Sequence, residues 1–183
     1  MVEVELKARI EDPEAVERRV ESFARFVKKV DKSDSYWHGP GWRERRGTRG
    51  FRVRSEGSSF VVTFKSKRVE AGYEVNRERE FEISDPGVFR EFVERVGCEP
   101  YYQKRKIGSV YEYEGMTLEV LRVEGAGSFL EIERLLPEES PAAVETARAG
   151  LRTALVLAGV PETAIESRTY SELILGAERA SGT

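Results

Sequence analysis

Like-charged residues recur in pairs, two positions apart, along this 183-residue chain. The acidic pairs are Glu3/Glu5, Glu78/Glu80 and Glu131/Glu133, and the basic pairs are Arg52/Arg54, Lys65/Lys67 and Lys104/Lys106. On a β-strand, residues i and i+2 share a face, about 6.5–7 Å apart. Carboxylates so placed hold hard cations such as Mg2+ or Mn2+ through oxygen. Arginine and lysine so placed meet phosphate oxygens, arginine in bidentate fashion. A surface carrying both sets suits a polyphosphate together with its bound divalent cations.

The elements that must position these residues are legible as alternation. Val2, Val4, Leu6, Ala8 and Ile10 interleave with Glu3, Glu5, Lys7 and Arg9, which predicts a strand over 2–10. Further strands are predicted at 33–38, 50–55, 59–67, 73–83, 100–106, 108–114, 116–123 and 127–135, with a hairpin turn at Glu56-Gly57-Ser58. Asp12-Pro13, Asp85-Pro86 and Ser140-Pro141 each read as an N-cap followed by proline in the first helical turn. The first helix takes Val16, Val20, Phe23 and Val27 as its apolar stripe. The second takes Val88, Phe89, Phe92, Val93 and Val96, and the third runs to about Ala158. Residues 170–177 are a last short helix or strand.

Alternation by itself also describes a sheet with one solvated face. Such a face usually scatters its signs, because like charges side by side repel. The three helices must also bury their stripes, and the apolar faces of the strands are the available partner. The charged face is then the concave one, and a closed barrel would make it a lumen.

Composition narrows the classes. Hydrophobic residues make up 39% and charged residues 34%, too polar for a membrane protein and too apolar for a disordered chain. No apolar run reaches the roughly 18 residues of a membrane span, and no signal-peptide pattern opens the chain. A cytoplasmic protein is expected. The net charge of −3 disfavours nucleic acid as a partner. One cysteine, Cys98, makes neither an internal disulfide nor a zinc site. Abundant charges, with Asn76 and Gln103 as the only amides, suggest a thermophile.

Glu3-Val4-Glu5-Leu6-Lys7 resembles the Glu-x-Glu-x-Lys hallmark of the CYTH superfamily, the triphosphate tunnel metalloenzymes. Asp34-Ser35-Tyr36-Trp37, FRVR (51–54), VTFK (62–65), NRERE (76–80), QKRKIGSVY (103–111) and VEGAGSFLEIE (123–133) resemble its other motifs in order. The resemblance implies an α+β fold: an eight-stranded antiparallel β-barrel, or tunnel, with helices packed outside. Chain length and the absence of a visible linker lead to the expectation of a single domain over 1–178, followed by a frayed tail at 179–183.

By position, the resemblance implies Glu3, Glu5, Glu131 and Glu133 as ligands of Mg2+ or Mn2+. Lys7, Arg52, Arg54, Lys65, Lys104 and Lys106 are implied to hold phosphates, with Glu78 and Glu80 as candidates for a catalytic or tuning role. Leu121 stands where the family has an acid, and Glu119, two residues earlier on the same face, is the candidate to replace it. Whether one cation or two is bound stays open.

SRTYSELIL (167–175) is most similar to the C-terminal segment of class IV adenylyl cyclases and their archaeal relatives. That implies conversion of ATP to cyclic AMP and pyrophosphate. Tripolyphosphatase and thiamine triphosphatase activity are the alternatives within the superfamily. The arginine-rich loop WRERRGTRG (42–50) supports a third reading, a non-catalytic module that binds polyphosphate or nucleic acid. Within the tunnel reading, Arg43, Arg45, Arg46 and Arg49 rim the entrance and steer anions. A homodimer through an outer face is compatible with either.

Other residues have plainer readings. His38 lies beside Gly39-Pro40 in a loop, and Cys98 reads as a small core residue. Gly125-Ala126-Gly127 reads as a hairpin turn. Tyr111, Tyr113, Trp37 and Trp42 read as packing residues, with base stacking as the alternative.

Overall fold

A computed structural model of the chain describes residues 2–42, 50–70, 73–138 and 140–181, with the side chains of 65–70 and 178–181 outside the description. The Lys65 and Lys67 side chains and the four arginines at 43, 45, 46 and 49 therefore lie outside the described residues.

Eight strands form: β1 (Val2–Arg9), β2 (Arg25–His38), β3 (Phe51–Glu56), β4 (Ser59–Glu70), β5 (Tyr73–Glu82), β6 (Glu99–Tyr113), β7 (Met116–Val123) and β8 (Gly127–Leu136). They close into an antiparallel barrel in the order β1-β5-β4-β3-β2-β6-β7-β8. Four helices accompany them: α1 (Pro13–Glu21), α2 (Pro86–Arg95), α3 (Pro141–Leu157) and α4 (Tyr170–Ser181). The expected α+β barrel is the observed fold. None of the described helices is long and apolar enough to cross a membrane. The chain divides into two compact units, one of Met1–Val30, Lys67–Arg77 and Lys106–Thr183, the other of Asp31–Ser66 and Glu78–Arg105.

In the first unit, the N-caps read from sequence are made. Asp12 Oδ1 accepts from Ala15 N–H at 2.9 Å, and Ser140 Oγ accepts from Ala143 N–H at 3.2 Å. Val20 of α1 and Val144, Ala147, Leu151, Ala154 and Leu155 of α3 share one apolar core with the sheet. The sheet contributes Val2, Val4, Leu6 and Ala8, Met116, Leu118 and Val120, and Leu130 and Ile132. Each buried Leu, Ile or Val side chain contributes about 1.5–3 kcal/mol. A one-residue slip would turn this whole set out, so burial fixes the register. It also fixes where the alternate set goes: Glu3, Glu5 and Lys7 share the inner face with Glu119, Glu131 and Glu133.

In the second unit, Asp85 Oδ1 caps α2 by accepting from Gly87 and Val88 N–H at 2.8 and 3.0 Å. Trp37, Val93 and Cys98 form a smaller core, joined by Phe51, Val53 and Phe89. The opposite face of β2 and β3 then carries Asp34, Tyr36, Arg52 and Arg54.

Several element boundaries differ from expectation. Helix α1 stops at Glu21 because the chain tightens there, with Phe23 and Ala24 N–H both donating to the Val20 carbonyl. Residues 25–30 extend β2, and Val27 is exposed rather than inward. The strands expected at 100–106 and 108–114 are one strand, β6. Gly108 permits its unbroken passage, since a Cβ there would stand 2.0 Å from the Val120 carbonyl oxygen. On α2, Val88, Phe92 and Val96 are exposed, so only Val93 and Phe89 of the expected stripe pack inward.

Candidate active site

The inner face of the first unit is acidic, and its geometry follows from the register. Glu5 of β1 pairs directly with Glu133 of β8, and Glu119 of β7 pairs directly with Glu131 of β8. Residues directly opposite in an antiparallel pair point the same way, so carboxylate faces carboxylate twice. Burial pushes up the Glu133 carboxyl, and the charges of Glu5, Glu119 and Glu131 push it further, to about 7, against the pull of Lys106.

Glu131 is answered from within the protein. Lys106 donates to its Oε2 and the Tyr170 hydroxyl donates to its Oε1. Lys7, its direct partner across β1–β8, donates to the Arg168 carbonyl at 2.6 Å. Both ammonium groups lie against the Tyr170 ring, Lys7 at 4.7 Å and Lys106 at 5.0 Å from its centroid, within cation–π range. Burial and the Glu131 charge hold the Tyr170 hydroxyl well above its ordinary pKa, so it remains a donor.

The placement of Tyr170 has a local cause. Thr169 Oγ1 accepts from Glu172 N–H at 3.3 Å while the Glu172 carboxylate accepts from Thr169 N–H at 2.6 Å. This reciprocal capping box starts α4 with Tyr170 at its first position. The segment before it is tied to β1 by Glu166 N–H, which donates to the Lys7 carbonyl at 2.8 Å.

The inner face of the second unit is cationic around one acid. Asp34 is 1% exposed. Arg54 grips it with two bonds, Nε to Oδ1 at 2.7 Å and Nη2 to Oδ2 at 3.0 Å. Lys104 Nζ stands 3.2 Å from Oδ2 and also donates to the Tyr36 hydroxyl at 2.8 Å. Arg52 Nη1 is 3.8 Å away. Burial works to raise the Asp34 carboxyl, yet Lys104, Arg54 and Arg52 together hold it well below the usual carboxylate range. One carboxylate thus answers three cations. Arg52 Nη2 also donates to Thr63 Oγ1 at 2.8 Å, and Thr63 in turn donates to Glu80 Oε1 at 2.7 Å. Arg52 Nε is buried without a partner, a donor ready for an anion.

The candidates from sequence therefore fall into two groups. Glu5, Glu119, Glu131, Glu133, Lys7 and Lys106 come together in the first unit, and Arg52, Arg54, Lys104 and Glu80 in the second. Glu3 shares the acidic face but stands opposite Asn76 and Leu135. Glu78 is half-buried on the strand face of Glu80. Asp34, Tyr36, Thr63 and Tyr170 had no assigned role. The parity of Asp34 with Tyr36 in Asp-Ser-Tyr-Trp was a signal for the first two, and the Thr-x-x-Glu capping box was one for the last.

Among the described residues, no group of three Asp, Glu, His or Cys side chains converges closely enough to hold a metal ion alone. The donor chemistry still fits a hard divalent cation. Opposed carboxylates supply oxygen ligands and a charge surplus that a cation relieves, with remaining ligands available from a phosphate. The plainer residues have structural places: Tyr111 is fully buried and donates to Glu17, and Cys98 is buried with its thiol pushed up by desolvation. His38 stacks on Trp42 with ring centroids 3.8 Å apart.

The CYTH domain family matches residues 1–170. The chain belongs to the CYTH family. Members of this family bind triphosphates and are generally dependent on divalent metals. A Methanocaldococcus jannaschii protein, provisionally named an adenylate cyclase, is 30% identical over 139 residues, 75% of this CYTH chain and 79% of that one. The solved structure of a conserved hypothetical protein from Pyrococcus furiosus is 32% identical, covers 94% of this chain and 99% of its own, and superposes with a TM-score of 0.79. A Hippeastrum protein shares the fold at 20% identity and a TM-score of 0.66, covering 98% of this chain and 96% of its own. It is provisionally called an adenylyl cyclase and described as having a dominant triphosphatase activity.

Proposed function

We propose that the chain is a divalent-metal-dependent enzyme that converts ATP to cyclic AMP and pyrophosphate, in the manner of a class IV adenylyl cyclase. The observation that carries the metal-triphosphate reading is the direct opposition of the half-buried Glu5 and Glu133 and of the half-buried Glu119 and the buried Glu131. Carboxylates held face to face in a partly desolvated site, with Lys106 answering only Glu131, favour a bound cation in the working state. The cyclase assignment draws support from the Methanocaldococcus relative's name and the C-terminal Ser-x-x-Tyr-Ser-Glu-Leu segment.

In this reading Glu5 and Glu133 bind Mg2+ or Mn2+, with Glu3 and Glu119 offering further oxygens. The bound cation supplies Lewis-acid polarisation of phosphate oxygens. Glu131, engaged by Lys106 and Tyr170, positions Lys106 for phosphate. Lys7 and Lys106 on the first unit are assigned to phosphate oxygens and leaving-group charge, and the motifs assign Arg52, Arg54 and Lys104 on the second unit the same kind of contact. Lys65 is assigned the same role from its motif. The ribose 3′-oxygen attacks the α-phosphorus, its proton leaves to solvent, and the bond to the β-phosphate oxygen breaks to release pyrophosphate. Such catalysis is largely positioning and charge stabilisation.

A second reading is hydrolysis of tripolyphosphate or thiamine triphosphate. It is favoured because both faces are built of charge, which any triphosphate satisfies. Incubation with ATP, tripolyphosphate and thiamine triphosphate, each with Mg2+ or Mn2+, separates the readings. Cyclic AMP with pyrophosphate supports the cyclase, and orthophosphate supports the hydrolase. Thermal protection by tripolyphosphate with no product in any assay overturns both and leaves a binding module.

A further inference from the structure

Asn76 is a polar side chain for which the fold supplies no partner. It is 0% exposed, and neither its Nδ2 nor its Oδ1 makes a hydrogen bond. Leaving a buried donor or acceptor unmade costs about 1–3 kcal/mol for each group. Its neighbours on β5, Tyr73 and Val75, turn into the apolar core, so Asn76 takes the opposite face.

The register places it among acids. Asn76 stands directly opposite Glu3 across β1–β5, and the next pair on the same face is Glu5 with Glu74. Asn76 and Glu5 are thus diagonal neighbours, within reach of long side chains at about 7–8 Å between backbones. Ionised carboxylates only accept hydrogen bonds. They can satisfy Nδ2, but none can satisfy Oδ1. An amide oxygen set among carboxylates is complemented by a cation. Hard divalent cations take amide carbonyl oxygens alongside carboxylates. No three acidic, His or Cys side chains converge on one point among the described residues, so an amide oxygen on this face adds a protein ligand that the carboxylates alone do not provide.

We infer that Asn76 is a ligand, through Oδ1, of the divalent cation held on the Glu3–Glu5 strand. This rests on the metal-dependent reading above and adds a residue to it. The Glu-x-Glu pair supplies charge, and Asn76 supplies a neutral oxygen that binds the cation without deepening the repulsion between Glu5 and Glu133.

The test is Mn2+ binding by titration calorimetry on the full chain without triphosphate. Asn76→Leu keeps the volume and removes both polar groups, and it should weaken Mn2+ at least tenfold. Asn76→Asp keeps the oxygen and adds a charge, and it should bind Mn2+ at least as tightly as the parent. Binding of tripolyphosphate in chelator should stay within twofold in Asn76→Leu, because the phosphate-binding cations are untouched. Unchanged Mn2+ affinity in Asn76→Leu overturns the inference and marks Asn76 as a site for buried water. Joint loss of Mn2+ and metal-free tripolyphosphate binding overturns it as a structural effect. Should Asn76→Leu not fold, weakened Mn2+ binding by a folded Asn76→Asp overturns it. Failure of the parent chain to bind Mn2+ at all, with no response to Glu5→Gln, overturns the metal-dependent reading itself, and this inference with it.

Discussion

Glu5 and Glu133 face each other as direct cross-strand partners on the inner face of β1 and β8. Each strand has an apolar set fully committed to the core on its other side, so neither carboxylate can escape by a register shift. The same holds for Glu119 and Glu131, except that Lys106 and Tyr170 answer Glu131 from within the chain.

Glu5→Gln removes one of two opposed charges. Metal-dependent turnover should fall by about 100-fold or more, since a cation ligand is lost. The metal-free protein should melt higher, by up to about 4 °C, because opposed like charges cost about 0.2–1 kcal/mol. Activity assays and melting curves in chelator check both arms. Retained turnover would remove Glu5 from the metal site.

Glu133 predicts a pH dependence with a definite sign. Its folded pKa is raised, from an ordinary value of 4.5 to about 7, by burial and by Glu5, Glu119 and Glu131. The folded state therefore binds this proton more tightly than the unfolded state. The contribution of this group is fully present below about 4.5 and is lost as pH rises to about 7. Metal-free stability should fall across that window, and Glu133→Gln should flatten it. Mn2+ affinity should rise over the same range as the proton is displaced. Melting temperatures in chelator, read against pH for both proteins, give the comparison.

Asp34→Asn leaves Lys104, Arg54 and Arg52 without their shared carboxylate. Removing one partner of a buried ion pair costs up to about 3–5 kcal/mol, reduced here because Arg52 keeps Glu80 at 3.5 Å. Tripolyphosphate should therefore raise the melting temperature of Asp34→Asn more than that of the parent, by restoring an anion. Because the folded pKa of Asp34 is depressed, its contribution is present above its ordinary value of 3.8 and is lost as pH falls towards the folded value. Denaturation curves with and without tripolyphosphate measure the difference.

Tyr170→Phe keeps the ring beneath Lys7 and Lys106 and deletes the bond to Glu131. The loss should be about 1–3 kcal/mol, the cost of a buried charged acceptor losing a donor. Urea titration would read it. A truncation removing α4 should do more, since it also takes away the cation–π partner of both lysines.

Much of this was legible along the chain. Alternation, strict in β1 and interrupted in β5, β7 and β8, gave most residues their face, because side chains on a strand repeat every two positions. Asp-Pro and Ser-Pro marked three helix starts, which the caps at Asp12, Asp85 and Ser140 satisfy. Reading failed where two periods overlapped. Val16, Val20, Phe23 and Val27 fit a helix, yet 25–30 belong to β2, because pairing within the sheet outweighs the weak local preference of an exposed segment. Val88, Phe92 and Val96 fit an inward stripe, yet only part of α2 has a core to meet.

What the order of residues decided alone is the segregation of charge from apolar surface, and with it the presence of one face made of acids and bases. What only the closed sheet decided is which of those groups meet. Glu5 with Glu133, Glu119 with Glu131 and Asp34 with Arg54 are separated by 128, 12 and 20 positions in the chain. The hairpin turn between β7 and β8 fixes the register of Glu119 with Glu131, whereas no local pattern encodes Glu5 with Glu133. All three pairings follow from strand order and register, which are set by burying the opposite side chains.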